Sequence, residues 1–351
     1  MQSPNQSGIA LVIVLWVIAL LAVVAVSFTT ATRGQANLVR NLVENAKAEA
    51  LADAGLYRAI HGLLSPKSKG LLGPQIENLL TLSPEPAAVR RRIERDLRSE
   101  LGKTFFPETE DPFVDSWRTD GTVYVWPFGG GRVWVSIQDE DGKINLNTAP
   151  DELLRGLFVS VGLDEDASAA LVDAIVDFRD EDDLRRLNGA EDRDYADAGL
   201  PYGAKDAPFE AVEELQQVLG MTRQIYKRVA PALTVHSGRR GIDPRVAPRA
   251  ALLALPGIGP EEVESFLAAR AEGTTEDLLG AEGYKTTSRE RVFTIRAEAR
   301  AVSGAVFVRE AVVEPIGARH KALPNSKELF RFLAWKQGSR AAAYEREPLD
   351  R

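Results

Sequence analysis

Nine carboxylates fall between Asp177 and Asp197: Asp177, Asp180, Glu181, Asp182, Asp183, Glu191, Asp192, Asp194 and Asp197. Four arginines accompany them, Arg179, Arg185, Arg186 and Arg193. Like charges at this density repel one another in a compact loop unless something neutralises them. The chain has no Cys, and its three His (His61, His236, His320) are far apart, so only oxygen ligands stand near this loop. Oxygen suits a hard cation, and an irregular loop wraps the roughly six to eight oxygens of calcium more readily than it builds the octahedron of magnesium. The spacing is not that of an EF-hand. With Asp180 at the first position Glu191 falls at the twelfth, but Leu184 and Arg185 occupy the positions that need a ligand and a glycine. Composition alone leaves two readings open, a calcium site and a solvated acidic loop partly paired with its four arginines.

No second chemistry stands out. The sequence has no phosphate loop of the G-x-x-x-x-G-K-[ST] type, no G-x-S-x-G elbow and no H-E-x-x-H helix, and without Cys it has no thiol nucleophile or zinc-thiolate site. The expectation is a protein that is not an enzyme. A formal charge of −8 argues against general affinity for nucleic acid, which needs clustered Lys and Arg. At 351 residues, 44% apolar and 27% charged, the chain can build two cores.

The elements that position this chemistry begin with a membrane-like stem. Ile9 to Phe28 (IALVIVLWVIALLAVVAVSF) has Ser27 as its only polar member, and at ~1.5 Å per residue it makes about 30 Å of helix, the thickness of bilayer hydrocarbon. A secretory signal, a plain anchor and a prepilin-type segment compete for it. The leader MQSPNQSG ends in Gly8 directly against the apolar run, whereas a secretory signal is cut after the run and carries a basic start. The helical pattern continues through Leu38, Leu42, Ala46, Ala50 and Ala54 without Pro to Leu64, one helix of about fifty residues.

Beyond Leu64, Pro86–Leu101 reads as a helix with five arginines on its polar side. Thr122–Phe128 and Arg132–Gln138 alternate as strands about Gly129, Gly130 and Gly131, a hairpin signature. Val292–Arg300 and Ala305–Val313 form a second pair, joined around Ser303 and Gly304. Four strands then make an antiparallel sheet under the long helix, an α+β layer arrangement. Between the pairs the chain becomes helical and repeats itself. Ile144 to Pro150 followed by Leu153, Leu154 and Leu157 corresponds to Ile242 to Pro248 followed by Leu252 and Leu255, and acidic-start helices follow at Asp164–Phe178 and Pro260–Arg270. LPGIGPEEVESFLAAR looks like a helix-hairpin-helix, with Glu261, Glu262 and Glu264 after its turn, where they repel anions. Lys327–Trp335 reads as a short helix and the end of the chain as a tail.

These stretches together resemble the minor pseudopilin K family of type II secretion systems. The likeness lies in the leader ending at Gly8, the small-residue spacing of the stem, and DEDGKINLNTAP at 139–150. DFRDEDD at 177–183 with GAEDRDY at 189–195, and FTIRAEARAVSGAVFVREAVVE at 293–314, complete it. Most relatives of this kind carry Glu at the fifth mature residue, where this chain has Ile13; its absence suits a subunit with no neighbour ahead of it. Phe178 stands where the family usually has Trp, and the leader lacks the Lys or Arg usual before the cleaved Gly.

The resemblance implies a pseudopilin fold: a transmembrane and spine helix packed on an antiparallel sheet, with a large inserted helical domain of two helix-hairpin-helix or SAM-like repeats. The implied bounds are 1–8 for the leader, 9–64 for the helix, 65–143 for the first part of the core and 144–285 for the insertion (repeats at about 144–232 and 240–285). The last strands would span 286–316 and the tail 317–351. It implies cleavage by a prepilin peptidase between Gly8 and Ile9, methylation of Ile9, and a single-pass inner-membrane subunit with its globular part in the periplasm. It also implies a tip complex with minor pseudopilins I and J on a filament of the major pseudopilin, assembling for export of folded proteins, with no nucleic acid. It favours calcium, with Asp180, Asp182, Asp183, Glu191 and Asp192 as ligands. A membrane-tethered helix-hairpin-helix DNA receptor and a minor pilin of a type IV pilus system are the alternatives.

Overall fold

One unbroken helix, α1 (Ser7–Leu64), runs for 58 residues. In this computed structural model the described residues are 7–64, 117–274, 278, 280–287, 292–315 and 330–339. The last turns of α1 bury Ala48, Leu51, Ala52, Leu56, Ala59, Ile60 and Leu63, which recur at helical spacing and so line one face. Gly55 lets that face lie close: a Cβ there would approach Val133 Cγ1 to 2.6 Å. The first half of the helix presents its apolar side chains outward, from Ile13 to Phe28. Among the described residues no helix is long and apolar enough to cross a membrane; of the run Ile9–Phe28, side chains are described from Ile13 onward.

The face of α1 rests on a five-stranded antiparallel sheet of order β1-β2-β5-β6-β7. β1 (Asp120–Phe128) and β2 (Gly131–Asp139) form the expected hairpin. Gly129 and Gly130, with φ of 58° and 77°, supply the left-handed conformations its two-residue turn requires. β5 (Phe293–Arg300) and β6 (Val306–Pro315) form the second expected pair. The fifth strand corrects the sequence reading. Of the helix expected over Lys327–Trp335, the described part is a strand; Phe330–Gln337 is β7, paired along β6 from Pro315 to Arg309. Aromatic residues in that run suit a pleated surface, and the open edge of β6 supplies a full ladder of backbone partners, so tertiary pairing overrides local spacing. The helix expected at Pro86–Leu101 lies outside the described residues.

Arg309 ties helix to sheet. Its Nε donates to Asp53 and its Nη2 to Glu49, both at 2.6 Å, and its guanidinium lies between the rings of Phe307 and Trp335, at 4.9 and 5.0 Å from their centroids. Arg309→Ala is expected to destabilise the chain by about 2 kcal/mol, within the range for charge-assisted hydrogen bonds, seen as a lower urea midpoint with an unchanged slope.

Between β2 and β5 the chain makes a mainly helical insertion with its own core. α2 (Asp151–Ser160), α3 (Glu165–Arg179), α4 (Asp192–Asp197), α5 (Arg223–Val229), α6 (Arg249–Leu252) and α7 (Pro260–Ala271) surround it. Phe158, Ile175, Phe178 and Tyr195 are among the side chains that fill it. The two copies of the repeat share a local geometry. Pro150 caps α2 with φ −67° and ψ 154°, and Pro248 caps α6 with φ −69° and ψ 155°. β3 (Ile144–Asn145) pairs in parallel with β4 (Leu233–Thr234), and Ile242 bridges in parallel to Lys285. In the second copy Arg249 pairs with Glu264 at 2.5 Å, and a Cβ on Gly259 would come within 2.5 Å of the Glu262 carboxylate, so carboxylates crowd this turn.

Candidate metal centre

The last turn of α3 and the first of α4 bring the ends of the acidic loop together. Asp177 sits one residue before Phe178 on the buried side of α3 and is fully buried. Its Oδ2 accepts from the backbone N–H of Arg186 at 3.1 Å. Asp180 is the residue that ends α3, its N–H bonded to the Val176 carbonyl. Glu191, 8% exposed, precedes α4, and its own N–H donates to Asp194 Oδ2 at 3.0 Å.

The side chains of the four arginines bond to groups other than Asp177, Asp180 and Glu191. Arg179 Nη1 donates to the Leu146 carbonyl. Arg185 pairs with Asp194 at 2.8 Å, and Arg186 with Asp151 at 2.6 Å and Asp173 at 3.5 Å. Arg193 reaches Asp197 at 3.8 Å. Left over are three buried oxygens, Asp177 Oδ1, Asp180 Oδ1 and Glu191 Oε1, with no hydrogen-bond donor among the described residues. A buried carboxylate oxygen without a donor is costly. Protonation or a cation removes that cost.

The electrostatics follow the geometry. Burial, with the charges of Asp177, Asp180, Asp206 and Asp183 added, pushes the Glu191 carboxyl up to about 7. Asp177 is raised by burial and by Asp180, and Asp180 by burial and by Asp182. Asp206 is raised by desolvation and by Asp192 and Asp183. Among the described residues no three His, Cys, Asp or Glu side chains stand in a ready-made ligand shell, so holding an ion requires rotation of these short side chains.

Of the expected ligands, Asp180 and Asp183 each act on the charge of Glu191, and Asp183 and Asp192 on that of Asp206. Asp182 turns its Oδ1 to the Leu184 N–H at 2.9 Å, holding the loop. Asp177 and Asp206 were not among the expected ligands. The signal for Asp177 was a carboxylate next to core residues on the buried side of α3; Asp206 carries a left-handed φ of 52°, which its sequence does not announce. Gly8 and Ile9 lie within α1, outside the residues whose side chains are described, and Ile13 is on α1 with its side chain 58% exposed.

With calcium absent, the sign of the pH response is fixed by these carboxyls. A folded pKa near 7 against an ordinary 4.5 means that the folded state binds more protons between those values. Stability therefore falls as pH rises through that window. Glu191→Gln is expected to flatten the fall, measured as urea midpoints at pH 5 and pH 8 in chelator.

Residues 135–238 match the family model of the type II secretion system (T2SS), protein K. Type II secretion system protein K of Pectobacterium carotovorum subsp. carotovorum is 26% identical over 154 residues, covering 40% of this chain and 44% of that protein. The protein of the same name from Pseudomonas aeruginosa is 28% identical over 188 residues, covering 51% of this chain and 55% of that protein. The chain thus spans about half the length of these curated relatives. The GspK-GspI-GspJ complex of the enterotoxigenic Escherichia coli type 2 secretion system contains a chain similar at a TM-score of 0.49 and 19% identity, over 88% of this chain and 99% of that one.

Proposed function

We propose that this chain, whose residues 135–238 match the family model of the type II secretion system protein K, serves as a minor pseudopilin that caps the tip of the pseudopilus and starts its assembly. The match to residues 135–238 carries the reading, because that stretch contains the whole acidic loop and both strands of the small parallel pair. The apolar run Ile9–Phe28 supports a single-pass inner-membrane stem, left after a prepilin peptidase cuts between Gly8 and Ile9. As one continuous helix, α1 transmits the position of the stem to the sheet that it packs against. Ile13 at the fifth mature position supports the tip, since the carboxylate that would meet the amino terminus of a subunit ahead is not there. Minor pseudopilins I and J and the major pseudopilin are the partners.

Calcium, when bound, supplies positive charge at the acidic loop. The residues that would hold it are Asp177, Asp180 and Glu191, with Asp183, Asp192 and Asp206 at the rim. The three donor-less buried oxygens support that fit. Neutralised, the loop fixes the end of α3 against the start of α4 and so the shape of the insertion.

The test is assembly. The full chain, expressed with minor pseudopilins I and J, is expected to purify with both in detergent, and Ile13→Glu is expected to impair pseudopilus formation and export. Normal export by that variant would remove the tip assignment, and failure to associate with I and J would remove the pseudopilin reading itself.

A further inference from the structure

Two glycines beside the acidic loop have no backbone reason to be glycine. Neither Gly189 nor Gly203 is among the glycines with positive φ, where a side chain would be strained. What excludes a side chain is a carboxylate. A Cβ on Gly189 would overlap Asp177 Oδ2, with Cγ at 2.7 Å and Oδ1 at 3.1 Å, and a Cβ on Gly203 would overlap Asp192 Oδ1, with Cγ at 2.6 Å. Other tightly packed glycines of the insertion differ: Gly142, Gly156 and Gly241 abut the backbone of Val246, Ala254 and Tyr284.

We infer that Gly189 and Gly203 are positioning residues for the cation, keeping open the space in which the Asp177 and Asp192 carboxylates stand. This rests on the calcium reading above and goes beyond it in naming residues that touch no ion. Each carboxylate is set by a backbone donor, Arg186 N–H to Asp177 Oδ2 at 3.1 Å and Ala204 N–H to Asp192 Oδ1 at 3.0 Å. With Oδ2 so held, Asp177 keeps Oδ1 fully buried and with no donor among the described residues. A methyl group on Gly189 drives that carboxylate off its donor and turns Oδ1 away. The obstructing atoms at Gly189 all end a short side chain, and at Gly203 only the Asp192 Cα, at 3.3 Å, belongs to a backbone, so the fold can keep its shape while the ligand direction is lost.

The full chain in detergent, titrated with calcium in a calorimeter and melted in chelator, separates the possibilities. Gly189→Ala and Gly203→Ala are each expected to weaken calcium binding at least tenfold and to lose less melting temperature in chelator than in calcium. Gly283→Ala, where a Cβ meets no atom within 4 Å, is the control and should bind as the parent does. Undiminished affinity in both variants overturns the inference, and so does a melting loss in chelator as large as in calcium, which marks a packing glycine. If Gly189→Ala does not fold, Gly203→Ala decides the matter alone. A parent chain that takes up no calcium overturns the cation reading beneath it.

Discussion

Calcium at a hundredfold excess over its dissociation constant is expected to stabilise the chain by about 2.7 kcal/mol, and at a thousandfold excess by about 4.1 kcal/mol. For a folding unit of this size the first figure corresponds to a rise in melting temperature of about 5 to 10 °C. The expectation follows from where the charges lie. Asp151, Asp173, Asp194 and Asp197 hold Arg185, Arg186 and Arg193 at the periphery, so the inner carboxylates keep the field of one another. Folding in chelator must either protonate them or bear their repulsion, and an ion that binds only the folded arrangement removes both penalties. Asp177→Asn should therefore act in opposite senses under the two conditions. In chelator it is expected to raise the melting temperature, because a buried like charge is gone; in calcium it should lose most of the ion-induced rise, because a ligand is gone. A calcium titration that leaves the parent's melting temperature where chelator puts it would falsify the site, and an Asp177→Asn variant that gains as much from calcium as the parent would remove Asp177 from it.

Much of this arrangement can be read from residues that act locally. Gly129 and Gly130 mark the hairpin because two adjacent left-handed positions admit little else, and the alternation in 293–300 and 306–313 marks β5 and β6 because one face of each meets α1. The stem helix is legible from small and apolar residues at helical spacing. What escapes is set by distant partners. Phe330–Gln337 is a strand because β6 offers an open edge, and neither segment encodes the other. Asp177 resembles any helical carboxylate until the loop folds Arg186 back over it, and Asp206 joins the group from beyond α4 through a turn that its own residue type does not announce. Carboxylate density located the acidic loop, but which carboxylate oxygens are left buried without a donor depends on which side chains the arginines capture. That selection is tertiary.

The same separation between local and distant effects bears on how the chain unfolds. Among the described residues there are two hydrophobic clusters, one between α1 and the sheet and one within the insertion. Polar contacts span the junction between them: Arg270 on Asp120 at 3.5 Å, Arg118 Nη2 on the Arg270 carbonyl at 2.9 Å, Gln138 Nε2 on the Val246 carbonyl at 2.7 Å, and Asp243 N–H on the Asp141 carbonyl at 2.7 Å. Such contacts orient the insertion but add little apolar burial to couple the two cores. Phe158 on α2 is fully buried in the second cluster beside Leu154 and Leu157. Phe158→Ala is expected to cost about 3 to 5 kcal/mol, the removed apolar surface plus the cavity left behind. The loss should fall on the insertion. All five tryptophans (Trp16, Trp117, Trp126, Trp134, Trp335) lie in α1, in the sheet or at its edge, so tryptophan fluorescence follows that half, while four of the seven tyrosines, 195, 202, 226 and 284, lie in the other and two, Tyr57 and Tyr124, in α1 and β1. In the variant, tyrosine and far-ultraviolet circular dichroism signals are expected to change at a lower temperature than tryptophan fluorescence, with calcium narrowing the gap because it stabilises only the insertion. If every probe instead moves together by the same amount, the polar junction couples the cores as tightly as a shared one would, and the two-core account fails.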